Sequence, residues 1–210
     1  MQIAIIGTGN VGSAIAHGLA ATDHAVTLGA RDPQSEKVLA LAERTGARVA
    51  TPANAAATAD IIVLALPWAA AEKAVSSLGD LGDKIVIDCM NPLGMVDGAL
   101  GLLAGHTTSG GEMVQGWLAG TRVVKTLNQV GAEIMADNAD LPQRPVMFMA
   151  GDDDSAKAQV ATVLNDLGFA PLDAGDLTKA RLLEPFGMLW INQALQRGKG
   201  RNWAFAAVEG

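Results

Sequence analysis

Six residues near the start of the chain leave few folds open. Gly7-Thr8-Gly9-Asn10-Val11-Gly12 follows Gln2 to Ile6, a short apolar run of the kind a fully buried parallel strand shows, and opens a segment from Asn10 to Ala21 with Val11, Ile15 and Leu19 on one helical face. Strand, glycine turn and helix in that order make an anion-binding corner. Gly7 permits the tight turn, Gly9 lets backbone approach a pyrophosphate, Gly12 lets the helix pack on the strand, and the helix N-terminus offers free N–H groups and the positive end of its dipole. The unit predicts dinucleotide binding; a glycine-rich structural turn is the plain alternative.

The rest of the chain continues the alternation. Strands are expected at 25–28, 48–50, 61–66, 84–88, 123–127, 145–150 and 169–173, with helices at 33–45 (Asp32 as N-cap, Pro33 first in the helix), 68–78, 112–119, 155–166 and 177–196. Pro185 should kink or break the last helix near Glu184. Short connections in a βαβα order imply an α/β fold of Rossmann type: a mainly parallel sheet with helices on both faces and a small C-terminal helical extension. The one candidate boundary is the polar stretch from Asp137 to Arg144, which divides a dinucleotide-binding unit, 1–140, from a sheet extension and helical region, 141–210, packed on it as one compact unit.

Composition removes several chemistries. Tyrosine is absent, so no enzyme using a Tyr acid or base is possible, and the single Cys89 forms neither an internal disulfide nor a cysteine-rich zinc site. His17, His24 and His106 never fall at a metal-ligand spacing, so no metal site is expected. A net charge of -7 argues against nucleic acid or an anionic membrane as partner. The longest apolar stretch, Ile61 to Ala71, is far short of the ~20 residues of a membrane helix and holds Pro67. With no basic leader at the N-terminus, the cytoplasm is the expected compartment.

The second strand sets the nucleotide preference. NAD-preferring proteins end it in a carboxylate for the ribose 2'-hydroxyl, whereas here it ends Leu28-Gly29-Ala30-Arg31. Arg31 offers a bidentate grip on a 2'-phosphate, and Ser35 and Lys37 add a hydroxyl and a second cation, so NADP(H) is expected. The competing role for Arg31 is a surface pair with Asp32 or Glu36.

Ligands of open parallel sheets sit beyond the carboxyl ends of the strands, which selects Gly7, Arg31, Pro67, Trp68, Asn91, Pro92 and Asn128 as rim residues. Trp68 either packs on cofactor or caps its helix; Asn91 either bonds a ribose or carboxamide or closes an Asn-Pro turn. Lys125, inside a strand, is a strand-end cation facing ligand or one member of a structural ion pair. Asp152-Asp153-Asp154 reads as a helix N-cap and dipole partner rather than a metal site. The last helix is apolar around much of its circumference, which suits contact with a second subunit.

Taken in order, the glycine turn, Gly29-Ala30-Arg31, Leu66-Pro67-Trp68, Asn91-Pro92-Leu93, Val123-Val124-Lys125, Gly151-Asp152-Asp153-Asp154, Leu172-Asp173-Ala174-Gly175, Arg181 to Pro185 and Gly200 to Phe205 resemble the coenzyme F420-dependent NADP oxidoreductases. Val-Val-Lys-x-x-Asn is also similar to the reductase domain of six-transmembrane ferric reductases. The resemblance implies a homodimer moving hydride between NADPH and a deazaflavin. It implies phosphate and ribose contacts at Thr8, Gly9, Asn10 and Val11, 2'-phosphate contacts at Ala30 and Arg31, and a cofactor lining that includes Trp68, Asn91 and Ala132. Hydride passing between two stacked rings is a matter of positioning and obliges no protein acid or base, so no catalytic side chain is expected. Alternatives are an NADPH-dependent flavin or ferric reductase, a reductase of a small C=N or C=O substrate, and a non-catalytic dinucleotide sensor.

Overall fold

The structure, a computed structural model, describes residues 1–208 and 210. In chain order the first half comprises β1 (Gln2–Ile6), α1 (Asn10–Leu19), β2 (Ala25–Gly29), α2 (Glu36–Thr45), β3 (Arg48–Ala50), α3 (Pro52–Thr58), β4 (Ile61–Leu64), α4 (Trp68–Ser76) and β5 (Ile85–Asp88). The second half adds a hairpin of β6 (Leu93–Val96) and β7 (Ala99–Leu102), then α5 (Gly110–Trp117), β8 (Arg122–Lys125), α6 (Ala132–Ala136), β9 (Val146–Gly151), α7 (Asp154–Asp166) and β10 (Ala170–Asp173). A 3-10 turn at Leu177–Lys179 leads into α8 (Ala180–Ile191), which ends in a π turn at Asn192–Gln196.

Eight strands form one sheet in the order β10-β9-β8-β5-β4-β1-β2-β3. The pairs from β3 to β8 are all parallel; β9 runs antiparallel to β8 and carries β10 parallel beside it. This is the mainly parallel α/β sheet expected, with the order reversing between β1 and β4, where such sheets open a binding crevice. Side chains alternate across it. Ile3 and Ile5 meet Ile15 and Leu19 of α1, Leu41 of α2 and Val160 and Leu164 of α7 on one face. Ala4 and Ile6 meet Ala55 of α3, Ala71 and Val75 of α4 and Val114 of α5 on the other. A third, smaller core gathers Trp190, Ile191 and Ala194 with Leu93 and Leu100 of the hairpin and Trp203 and Phe205 of the C-terminal segment.

Two local expectations are corrected. The second helix starts at Glu36 rather than Pro33, because Asp32 spends its carboxylate on an Asx turn, accepting from the Gln34 N–H at 3.1 Å, while Ser35 Oγ donates to the Asp32 carbonyl at 3.1 Å. Nor does Pro185 break the last helix, which runs unbroken from Ala180 to Ile191. The ring stands on the exposed side of the helix, clear of the core. Asp153 caps α7 as expected, accepting from the Ala156 N–H at 2.6 Å, and no helix among the described residues is long and apolar enough to cross a membrane.

Candidate active site

The glycine turn has the geometry its spacing implies. Gly7 sits at φ +106°, and a Cβ there would lie 2.4 Å from the Ala65 carbonyl oxygen; a Cβ on Gly12 would lie 1.9 Å from the Gly7 carbonyl oxygen. Neither position admits a side chain. At Gly9 a Cβ would meet nothing within 4 Å, so packing within the chain does not explain that glycine. The residue faces open space at the N-terminus of α1, which is where a phosphate would need bare backbone.

Along the carboxyl ends of the strands lies a cleft built of four adjoining cavities. One, of about 410 Å³, is lined by Thr8, Ala30, Arg31, Asp32, Ser35 and Val38. It shares Thr8, Ala30 and Arg31 with a second, about 640 Å³, between Lys37 and Pro52 on one side and Leu66, Lys73 and Ser77 on the other. A third of about 260 Å³ adjoins at Gly9, Leu66 and Pro67 and also touches Asn10, Val11, Ala65, Cys89 and Met90. The fourth, about 440 Å³, begins at Val11, Leu66, Pro67, Cys89 and Met90 and ends among Leu93, Leu100, Trp190, Ile191 and Leu195. Arg31 thus stands between the first two cavities, and the glycine turn between the second and third.

The structure brings most expected residues to this cleft: Trp68, Asn91, Asn128 and Ala132 line the fourth cavity. Trp68 begins α4 and also lies against Trp117, ring centroids 5.4 Å apart. Gly12 serves helix packing, and Pro92 is buried at the root of the hairpin, its carbonyl accepting from the Leu103 N–H at 2.7 Å. No ion pair among the described residues involves Arg31, Lys37, Lys73, Arg197 or Lys199, so the proposed pairing of Arg31 with Asp32 or Glu36 is not made. Sequence reading missed Lys73. It lies on α4, brought opposite Arg31 only because β4 pairs with β1, and no local motif marks it. His106 is exposed in the 103–109 connection and lines none of the four cavities, while His24 bonds Asp166 at 2.9 Å far from the cleft.

Beneath the third and fourth cavities lies a buried ionic cluster. Lys125 Nζ contacts Asp88 Oδ2 at 3.0 Å and Glu184 Oε1 at 2.8 Å, and donates to the Met90 carbonyl at 2.5 Å. The choice left open for this lysine is therefore decided in favour of the ion pair. Burial alone would push the ammonium's pKa down, but Asp88 and then Glu184 outweigh it and hold the pKa above the ordinary lysine value. Glu184 accepts as well from the Gly110 and Gly111 N–H groups at 2.9 and 3.0 Å, pinning the start of α5, while Asp88 Oδ1 accepts from the Met90 N–H at 2.9 Å. One cluster therefore ties α5, α8 and the strand end that floors the cleft.

Asn91 and Asn128 hold each other. Asn91 Nδ2 donates to the Asn128 carbonyl at 2.8 Å, and Asn128 Nδ2 donates to Asn91 Oδ1 and to the Leu183 carbonyl, both at 3.0 Å. Between this pair and Lys125, the buried Leu127 is held at φ +56°, a conformation costly for a bulky residue and found where surrounding structure enforces it. Cys89 donates to the Leu64 carbonyl at 2.9 Å, and burial, with Asp88 beside it, pushes its pKa up to about 12, so the thiol stays protonated and unreactive.

The sheet order, with its reversal between β1 and β4, and the glycine turn after β1 define a Rossmann-type dinucleotide-binding protein. Residues 2–92 match the family described as NADP oxidoreductase, coenzyme F420-dependent. The F420-dependent NADP reductase of Methanothermobacter thermautotrophicus is 31% identical over 96% of this chain and 92% of its own length, and the chain belongs to this family of NADP oxidoreductases. A crystallised Arthrobacter protein assigned as an F420-dependent NADP-reductase superposes with a TM-score of 0.90 at 34% identity, covering all of both chains. The rat metalloreductase STEAP3 is 27% identical over 87% of this chain, which spans only 36% of that protein.

Proposed function

We propose that this protein moves hydride between NADP(H) and the deazaflavin ring of coenzyme F420. The observation that carries the reading is the fourth cavity: it meets the dinucleotide cleft end to end, and its lining is apolar except for Asn91, Asn128, Cys89 and Arg201. Such a slot suits a flat ring laid against the nicotinamide. Cys89, which lines it, keeps its proton and takes no part in proton transfer.

On this reading Arg31, with Ser35, Lys37 and Lys73 around it, receives the 2'-phosphoadenosine end. Thr8, Gly9, Asn10 and Val11 present backbone to the pyrophosphate. Leu66, Pro67, Cys89 and Met90 floor the nicotinamide, and Trp68, Asn91, Asn128 and Ala132 bound the space over it. Bound NADPH supplies the hydride; the chain's part is to align two rings and exclude water, and the buried cluster below the Met90 carbonyl keeps that floor from moving. The reading includes a homodimer, supported by Leu182, Leu189 and Leu195 standing 65%, 49% and 53% exposed along the last helix and its π turn.

The test is to follow loss of nicotinamide absorbance with NADPH and, in turn, oxidised F420, FMN, a ferric chelate and a cyclic imine. F420 is expected to turn over fastest, by at least ~10-fold. A second reading, an NADPH-dependent flavin or ferric reductase, draws on the similarity to STEAP3 and on how few polar side chains line the slot: the mutually bonded Asn91 and Asn128, Cys89, Arg201 and the indoles of Trp68 and Trp190, the latter already donating to the Trp203 carbonyl. Turnover with FMN or the ferric chelate and none with F420 would establish it instead.

A further inference from the structure

The chain carries 15 Lys and Arg against 22 Asp and Glu, yet Arg197, Lys199 and Arg201 fall within the five residues Arg-Gly-Lys-Gly-Arg. Nothing in dinucleotide binding uses them. They stand at the far end of the fourth cavity, because Leu195 just before them and Arg201 at their end both line it. Gly198 and Gly200, at φ +73° and +80°, turn the chain twice. Three backbone bonds fold the loop onto the π turn: Arg197 N–H to the Asn192 carbonyl at 2.9 Å, Lys199 to Gln193 at 3.0 Å and Gly200 to Ala194 at 3.2 Å. The cations are thus presented on a folded loop rather than on a free tail.

Their surroundings leave charge to spare. Glu133 engages the Arg201 guanidinium at 2.8 and 3.0 Å, and the Lys199 ammonium lies 5.0 Å from the centre of the Trp203 ring. Neither Arg197 nor Lys199 is paired with a described carboxylate. Three positive charges facing one described acid, at the rim of an apolar slot in a protein of net charge -7, form a local field with no partner inside the described chain.

We propose that the 197–201 loop binds the anionic part of the acceptor, a phosphate or carboxylate group carried on a substituent of the ring that enters the fourth cavity. This rests on reading that cavity as the acceptor site. The ring would be placed by apolar burial and its substituent by Arg197 and Lys199, with Arg201 oriented by Glu133 at the threshold. Selection among acceptors is then set by what lies outside the ring as well as by the ring itself.

Ring-matched pairs that differ only in a phosphate test the proposal: riboflavin against FMN, and 5-deazariboflavin against its 5'-phosphate. Dissociation constants are read by quenching of ligand fluorescence, with the oxidised dinucleotide present and no turnover required. In the native protein at low salt the phosphorylated member of a pair should bind at least ~10-fold tighter. That ratio should fall towards 1 in about 0.5 M salt and in the R197Q/K199Q double variant, whose two positions are exposed. If the rings bind with a ratio near 1 in the native protein, or the ratio survives in the double variant, the loop has no such role and the cavity reading stands. If no ring binds, the cavity reading and the loop reading fall together.

Discussion

Lys125→Met should lower the melting temperature by roughly 6–20 °C. The lysine is wholly buried and donates to Asp88, Glu184 and the Met90 carbonyl at once, so methionine fills the volume but leaves two buried carboxylates without a compensating cation, held only by backbone N–H groups. Breaking a buried ion pair from one side costs about 3–5 kcal/mol, and a chain of this length loses roughly 2–4 °C per kcal/mol. The penalty comes from the stranded acids more than from the lost attraction. The triple variant D88N/K125M/E184Q, which removes every charge of the cluster, should therefore regain most of the loss. Calorimetry on the two variants decides it: a single variant within about 2 °C of the native protein would mean that the cluster does not hold the strand end, α5 and α8 together.

Arg31→Ala is expected to raise the Michaelis constant for NADPH by about 10- to 100-fold and to change that for NADH by less than about 3-fold. A charge-assisted hydrogen bond contributes roughly 1.5–3 kcal/mol, and each 1.4 kcal/mol is a tenfold change in affinity. Arg31 is exposed, touches both cavities at the end of β2 and has no ion pair among the described residues, so removing it leaves no acid stranded and should not disturb the fold. Lysine in its place keeps the charge and loses the two-pronged geometry, and should fall between the two. Steady-state kinetics with both nucleotides is the measurement; an unchanged NADPH constant in the alanine variant would remove Arg31 from the 2'-phosphate site.

These two residues were not equally visible in the sequence. The place of Arg31 in the cleft could be read because everything that sets it is local: a buried strand, a glycine turn and a position just past the end of the next strand. Lys125 could not be resolved, since its partners come from β5 and α8, and a strand-borne lysine looks the same whether it faces a ligand or an acid until those elements are placed. Lys73 was invisible for the same reason, being an ordinary helix-surface lysine until strand order sets α4 across from Arg31.

Other omissions were legible. Asp97-Gly98 between two apolar runs is a strong hairpin signal, and the structure holds both at positive φ, 50° and 81°, as the tight turn between β6 and β7 requires. Thr51-Pro52 likewise announces α3, with Thr51 Oγ1 accepting from the Asn54 N–H at 3.4 Å and proline first in the helix. Only three residues wide, α3's neighbour β3 gave too short a pattern to frame it. The break expected at Pro185 is not made, because the ring lies on the exposed side of the helix, and which side it takes is set by packing rather than by sequence position.

Direct hydride transfer from NADPH to a deazaflavin in the fourth cavity would leave an isotopic record. It is tested most directly with NADPH deuterated at C4 of the nicotinamide, one preparation per face, and mass analysis of the reduced deazaflavin, whose C5 hydrogen does not exchange with water. One deuterium should be retained in the product from one labelled face and none from the other. Reduced deazaflavin carrying only solvent hydrogen from both preparations, or no reduction at all, would contradict it.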